Sequence, residues 1–286
     1  MIISIASGKG GTGKTTVAAN LAASLDQAVT VLDCDVEEPN LHLFLHPNIQ
    51  TREKVVAPIP QINLEKCTLC KRCMDICRFN AIAVAGKTVV TFPELCHSCG
   101  GCSAICPEGA VTEMERVLGM VEIGTCPKPE MGFAQGLLDV GQVMVPPVIR
   151  KVKSRIDKQG ITLIDAPPGT SCPVIAAMKD TDFVILVTEP TPFGLNDLKL
   201  AVETVRMMDI PHGLIINRAG MGDDAVYAWA KEQNLPVLLE IPFDRKIAEA
   251  YSRGDLIISN ADDLKEKFQT LYQDICRMVD AQRCAP

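Results

Sequence analysis

The chain has 286 residues, 47% of them hydrophobic, and a formal net charge of −7. That length supports one large α/β core with room for a small extra module. The acidic balance argues against a nucleic-acid surface spread over the whole molecule. No apolar run nears the roughly 18 residues that span a bilayer, and the opening MIISIASGKGG lacks the basic start and long apolar stretch of a secretion signal. A cytoplasmic protein that binds neither membrane nor nucleic acid is the expectation.

Taken in chain order, short β-rich runs alternate with helical patterns. IISIA (2–6), VTVLD (29–33), ITLID (161–165), FVILVT (183–188), GLIIN (213–217) and PVLLE (236–240) read as buried parallel strands. Helical periodicity covers 14–25, 146–157, 195–208, 223–232, 245–252 and 262–279. Strand–helix alternation implies right-handed crossovers and a mostly parallel sheet with helices on both faces. The alternation stops between about 55 and 116, and the glycine-rich stretch 117–143 reads as a return connection. Three parts are therefore expected. Residues 1–56 and 117–286 together make the α/β domain, and 57–116 form a small inserted α+β module.

The segment Gly8-Lys9-Gly10-Gly11-Thr12-Gly13-Lys14-Thr15-Thr16 follows the first strand and opens the first helix, as a phosphate-binding loop requires. Glycine lets the backbone wrap a phosphate, whose charge the N–H groups and helix N-terminus stabilise. Lys14 is expected to reach the β- and γ-phosphates of ATP or ADP and the Thr15 hydroxyl to bind Mg²⁺.

Thirteen cysteines are too many to read as disulfides in a reducing compartment. Eight form two runs, Cys67, Cys70, Cys73, Cys77 and Cys96, Cys99, Cys102, Cys106, each spaced C-x₂-C-x₂-C-x₃-C. CTLCKRCMDICRFNAI (67–82) and CHSCGGCSAICPEGAV (96–111) are an internal repeat. The pattern is that of bacterial ferredoxins with two [4Fe–4S] clusters, in which the fourth cysteine of each run serves the other cluster. It implies Cys67, Cys70, Cys73 and Cys106 around one cluster and Cys96, Cys99, Cys102 and Cys77 around the second. Zinc, which also accepts four cysteines, is the competing reading. Arg78 stands where a proline usually follows the first run. His97 reads as a loop residue.

The form KGGTGKT resembles the deviant phosphate loop of the MinD/ParA/Mrp superfamily, which includes the nitrogenase iron protein. TEPTPFGLNDLKLAVE (188–203) is close to that group's wording, and the inserted cysteine runs resemble its members with a ferredoxin domain. The resemblance implies a homodimer through the nucleotide face, with Lys9 reaching the partner's nucleotide. It implies Asp33 near Mg²⁺, Asp35 orienting the attacking water, Asp165 holding the Mg²⁺ shell, and the Gly169 N–H sensing a γ-phosphate. IINR (215–218) and IPFD (241–244) resemble its adenine pocket, with Asn217, Arg218, Pro242 and Asp244. The leading expectation is a slow, partner-stimulated Mg-dependent ATPase. It would gate electron transfer from a small redox donor to a protein or small-molecule acceptor. An Mrp-type iron–sulfur carrier is the first alternative, although no late C-x₂-C pair is present. A positioning ATPase of MinD or ParA type, with the insert as a redox sensor, is the second. Cys172 matches the offset of a cluster cysteine in the nitrogenase iron protein, so a third site at the dimer interface, with Cys126 as a further ligand, stands beside the reading of Cys172 as packing.

Overall fold

The computed structural model describes residues 1–127, 131–260 and 262–284. The chain opens with strand β1 (Ile2–Ala6), helix α1 (Lys14–Ser24) and strand β2 (Val29–Asp33). A single-turn helix α2 (His42–Leu45) leads into the long strand β3 (Asn48–Ile62). Next come α3 (Arg72–Ile76), the hairpin β4 (Ile82–Ala85) with β5 (Thr88–Thr91), and α4 (Gly101–Ala104). Strand β6 (Val111–Cys126) returns along β3, and β7 (Met131–Leu138) runs back beside β6. Regular alternation then resumes with α5 (Pro146–Lys153), β8 (Ile161–Asp165), α6 (Cys172–Met178), β9 (Phe183–Thr188) and α7 (Pro192–Met207). It ends with β10 (His212–Ala219), α8 (Ala225–Glu232), β11 (Val237–Pro242), α9 (Arg245–Arg253) and α10 (Asp262–Arg283).

The main sheet has nine strands in the order β11-β10-β9-β1-β8-β2-β7-β6-β3. From β11 to β7 every pairing is parallel, whereas β7–β6 and β6–β3 are antiparallel. The near-continuous apolar runs of β8 and β9 are buried on both faces, as covered parallel strands require. One core joins Ile3, Ile5, Val31 and Leu163 to α1 and to Phe268, Leu271 and Ile275 of α10. The other joins Leu32, Ile164, Val184 and Leu186 to Val148, Ile149 and Val152 of α5, Leu198 and Val205 of α7, and Val226 of α8. Helix ends follow local chemistry. The Thr191 hydroxyl accepts the Gly194 N–H (3.0 Å) with Pro192 in the first turn of α7, and the Asp244 carboxylate accepts the Lys246 N–H (2.7 Å) at the start of α9.

The α/β architecture matches the expectation, but 117–143 is not a connection. Its described residues hold most of β6 and all of β7, both inside the main sheet. The glycines that suggested a loop serve close packing. A Cβ at Gly124 would lie 2.1 Å from the Asn48 carbonyl oxygen, and one at Gly136 would lie 2.4 Å from Val36 Cγ1. The expected joints at 56/57 and 116/117 also fall within two continuous strands. Val56 pairs with Val117 and Ala57 with Arg116, beside a register shift at Val55/Val56. The cysteine-bearing segment is thus the tip of a ribbon that grows out of the sheet. Glu53 of β3 pairs with Lys151 (2.8 Å) and with Arg155, which ties the ribbon's base to α5.

Candidate functional site

The loop after β1 wraps the N-terminus of α1, with Gly11 (φ 77°) and Gly13 (φ 97°) in the left-handed region. At Gly13 a Cβ would stand 2.3 Å from Asn217 Nδ2, so only glycine admits that close approach. Asn217 Nδ2 donates to the Thr12 carbonyl (2.8 Å), and Asn217 Oδ1 accepts the Arg218 N–H (3.0 Å). The end of β10 is thereby clamped onto the loop between β1 and α1.

A cavity of about 360 Å³ opens in front of this loop. Gly10, Gly11, Gly13, Lys14, Thr15 and Thr16 form its floor, and Asp35, Glu38, Asn40 and Pro168 one side. Its far end is apolar, with Ile241, Pro242, Phe243, Ile247, Ala248 and Tyr251 beside Asn217, Arg218 and Asp244. Such a cavity suits a ligand with a phosphate end and a flat apolar end. Gly8, Lys9, Thr12, Asp33, Asp165 and Gly169 lie outside its lining.

Burial sets the electrostatics here. Burial pushes the Asp165 carboxyl up to about 6, against the pull of the nearby Lys14 ammonium and the Thr15 hydroxyl. Asp35 is also pushed up to about 6 by burial, offset by Lys14. Thr15 Oγ1 donates to Asp165 Oδ2 (2.6 Å), whereas Asp165 Oδ1 and Thr12 Oγ1 are buried without a hydrogen-bond partner. An orphaned carboxylate oxygen next to the Thr15 hydroxyl fits the shell of a divalent cation.

Asp33 lies in register beside Asp165, and its carboxylate is taken up by backbone N–H groups. Its Oδ1 accepts the Asp35 N–H (3.1 Å) and its Oδ2 the N–H groups of Asn40 and Leu41 (both 3.0 Å). The side chain anchors the 35–41 loop, and burial together with Asp165 raises its pKa. The Gly169 N–H donates to the Ser7 carbonyl (2.9 Å). Lys9 Nζ lies 2.5 Å from Glu189 Oε1 of the same chain, and Arg218 reaches Glu189 Oε2 (2.9 Å). Asp244 is engaged as the cap of α9. Glu189, Glu38, Asn40, Phe243, Ile247 and Tyr251 belong to the site or its border without a residue type that marks them. The spacing of Ile247 and Tyr251 on one helix face was the available signal.

The cysteines of the ribbon tip divide between two hollows. One is lined by Cys67, Cys70, Cys73 and Cys106, the other by Cys96, Cys99, Cys102 and Cys77. Each hollow takes three thiols from one run and its fourth from the other. The second has a volume of about 260 Å³. The first is narrower, about 20 Å³, so a four-iron cube needs it to open. Backbone N–H groups point at the sulfurs, Ala81 at Cys77 (3.3 Å), Ser98 at Cys96 (3.4 Å) and Ala110 at Cys106 (3.2 Å). At Cys106 burial raises the thiol pKa, but the N–H groups of residues 108–111 outweigh it and leave it below the ordinary value. Thiolate is the form that ligates iron. Among the described residues no three His, Cys, Asp or Glu side chains form a cage for a single metal ion.

Cys172 is exposed in the first turn of α6. Cys126 does not join it. It is buried opposite Met131, at the end of the sheet where β7 and β2 begin, whereas Cys172 follows the far end of β8. Among the described residues no helix is long and apolar enough to cross a membrane.

Comparison with known proteins places this geometry. The profile described as "CobQ/CobB/MinD/ParA nucleotide binding domain" matches residues 3–257. Uncharacterized protein MJ0578 of Methanocaldococcus jannaschii is 30% identical over 286 residues, covering 98% of both chains. An iron–sulfur cluster carrier protein of the same organism is 25% identical over 300 residues, covering 98% of this chain and 86% of its own. Among solved structures, the septum site-determining protein MinD of Pyrococcus horikoshii, complexed with Mg-ADP, superposes with a TM-score of 0.59. Its identity is 22%, over 96% of this chain and 95% of that one, which shows the shared fold. With a phosphate loop, an α/β sheet and a profile match over most of its length, the chain belongs to the CobQ/CobB/MinD/ParA family of nucleotide-binding ATPases.

Proposed function

We propose that this chain is a Mg-dependent ATPase that carries iron–sulfur clusters on its ribbon tip and uses its nucleotide state to control their delivery to an acceptor protein. The observation that carries the cluster half of the reading is the sorting of eight cysteines into two crossed sets of four. Relatives named iron–sulfur cluster carrier proteins, at 21–25% identity, support the direction of the chemistry.

The roles of the nucleotide-side residues follow from position. Lys14 and the backbone of residues 10–16 hold the phosphates. Thr15 and Asp165 hold Mg²⁺, Asp35 orients the attacking water, and Asn217 with the Pro242 wall holds the base. Bound iron–sulfur clusters supply redox or transferable iron chemistry at the cysteines. Dimerisation through the nucleotide face belongs to the reading, and Lys9 acts across it only after leaving Glu189. Gly169 senses a γ-phosphate only by giving up the Ser7 carbonyl.

Contacts between the two sites support the coupling. The Leu138 N–H donates to the carbonyl of Val36, next to Asp35, and Asp139 N–H to Leu118 of β6. A few residues further on, Met144 Sδ accepts the Ser98 hydroxyl (3.6 Å) beside Cys96 and Cys99. A change in the 35–41 loop therefore reaches the cysteine tip through bonded neighbours. A second reading, nucleotide-gated electron transfer, is favoured by the crossed fourth cysteine, because a ligand from each run ties the set together and favours retention. Anaerobic protein loaded with labelled iron separates the two. Transfer of label to an apo-acceptor, faster with ATP than with ADP, supports delivery. Retained label with ATP-dependent acceptor reduction would leave electron transfer as the function.

A further inference from the structure

The two cysteine runs repeat in backbone as well as in sequence. Leu69, Lys71 and Asn80 adopt positive φ (57°, 64°, 54°), and Ser98, Gly100 and Gly109 do so at the matching positions (52°, 72°, 56°). What differs is charge. Lys71 and Arg72 of the first run stand where the second has Gly100 and Gly101, and Arg78 stands where it has Pro107. The first run carries these three cations against Asp75, and Lys66 precedes it directly. Besides its cysteines, the second run has only His97 and Glu108 as ionisable side chains. Glycine is the unstrained residue at a left-handed position, so backbone geometry does not account for Lys71. Lys66, Lys71 and Arg72 are exposed, and among the described residues none of them has a carboxylate within ion-pairing distance.

The hollows differ in place too. The second is bounded by Pro58, Pro60 and Glu113, nearer the main sheet, and its Ser98 rests on Met144. The first is bounded by Ile62 and Val111, the last pair of the β3–β6 ribbon, with Lys71 and Arg72 on its rim and Glu108 also in its lining. One cysteine set faces the ATPase body, and the other faces outward under a basic rim on a protein of net charge −7.

We infer that the outer rim formed by Lys71 and Arg72 around the exposed Cys70 is a docking surface for a protein partner with an acidic face. The inner set, against Met144, is the one that follows the nucleotide state. An extended polyanion such as duplex DNA fits poorly, because the chain's net charge of −7 opposes contact beyond the patch. A compact acidic patch meets only the rim. The inference rests on the reading of the hollows as iron–sulfur sites.

The test uses the full chain, prepared anaerobically and assayed for iron and sulfide, titrated with flavodoxin as an acidic protein probe and cytochrome c as a basic one. At low ionic strength flavodoxin is expected to bind, and added salt to weaken it steeply. The double variant Lys71→Gly/Arg72→Gly restores the wording of the second run and keeps its backbone. It is expected to lower flavodoxin affinity about tenfold with unchanged iron content. Lys265→Gln, a cation elsewhere on the surface, is expected to change nothing. Equal affinity of the double variant and the parent chain would overturn the inference. Cytochrome c binding as tightly as flavodoxin, or duplex DNA binding through the same two residues, would do so as well. A chain without iron and sulfide fails at the proposed function itself, whereas a loaded chain indifferent to flavodoxin sinks only the docking surface.

Discussion

Around the phosphate loop, function rests on burial, whereas at the ribbon tip it rests on exposed backbone and thiols. Asp33, Asp165, Lys14 and Thr16 are all buried against two large aliphatic cores, which fix the charged groups before any ligand arrives. The tip has helices of only four or five residues and a two-stranded hairpin, with few buried side chains, among them Ala81, Ile82, Ala110 and Val111. Segments that short cannot offset their own ordering entropy. The nucleotide end is thus pre-organised by the fold, whereas the tip depends on what its cysteines hold.

The sharpest way to break that contrast is to remove iron from the tip. Chelation, or Cys102→Ala, should expose 57–116 to protease and, for the variant, lower iron from about eight to about four per chain. Nucleotide affinity should stay within about twofold, since the phosphate loop has its own core. Limited proteolysis beside a nucleotide titration reads both, and a parallel collapse of the two would dissolve the distinction. Next in size, Lys14→Ala should weaken ATP binding about 30–100-fold by removing a charge-assisted contact, with iron content unchanged.

A third test uses pH. Asp35 and Asp165 are raised to about 6 by burial. For a carboxyl raised on folding, the folded state binds the proton more tightly than the unfolded one. The stabilising contribution is complete below the ordinary pKa near 4, shrinks as pH climbs to about 6, and is absent above it. Nucleotide-free protein should therefore gain stability from these two groups between pH 7 and pH 5, of order a few kcal/mol. Mg-ADP should flatten that slope, because a cation stabilises the ionised form. Urea midpoints at the two pH values with and without Mg-ADP decide it, and an unchanged slope would deny these carboxylates to the metal. The smallest effect compares the two cysteine runs directly. Lys71→Gly should stabilise the tip by about 1 kcal/mol by relieving left-handed strain, and Gly100→Lys should destabilise it by a similar amount. The rate of cluster loss to chelator reads the pair. Equal behaviour of both variants would mean that the backbone likeness of the two runs has no energetic content.

Short-range chemistry is readable directly from the residues. Phosphate-loop glycines, cysteine spacing and two-faced apolar strands are local patterns, so the α/β class, the parallel strands and the two runs were legible without coordinates. The packing of the folded chain set which polar atoms meet. It turned Asp33 toward the N–H groups of the 35–41 loop, joined Lys9 to Glu189 and parted Cys126 from Cys172. It also made strands of the glycine-rich 117–143 region, because glycine's lack of a Cβ there serves close contact with Asn48 and Val36 rather than a turn. Apart from Asp33, whose partners lie two to eight residues on, those outcomes depend on partners distant in the chain, and no residue type or spacing encodes what a folded neighbour will place beside it.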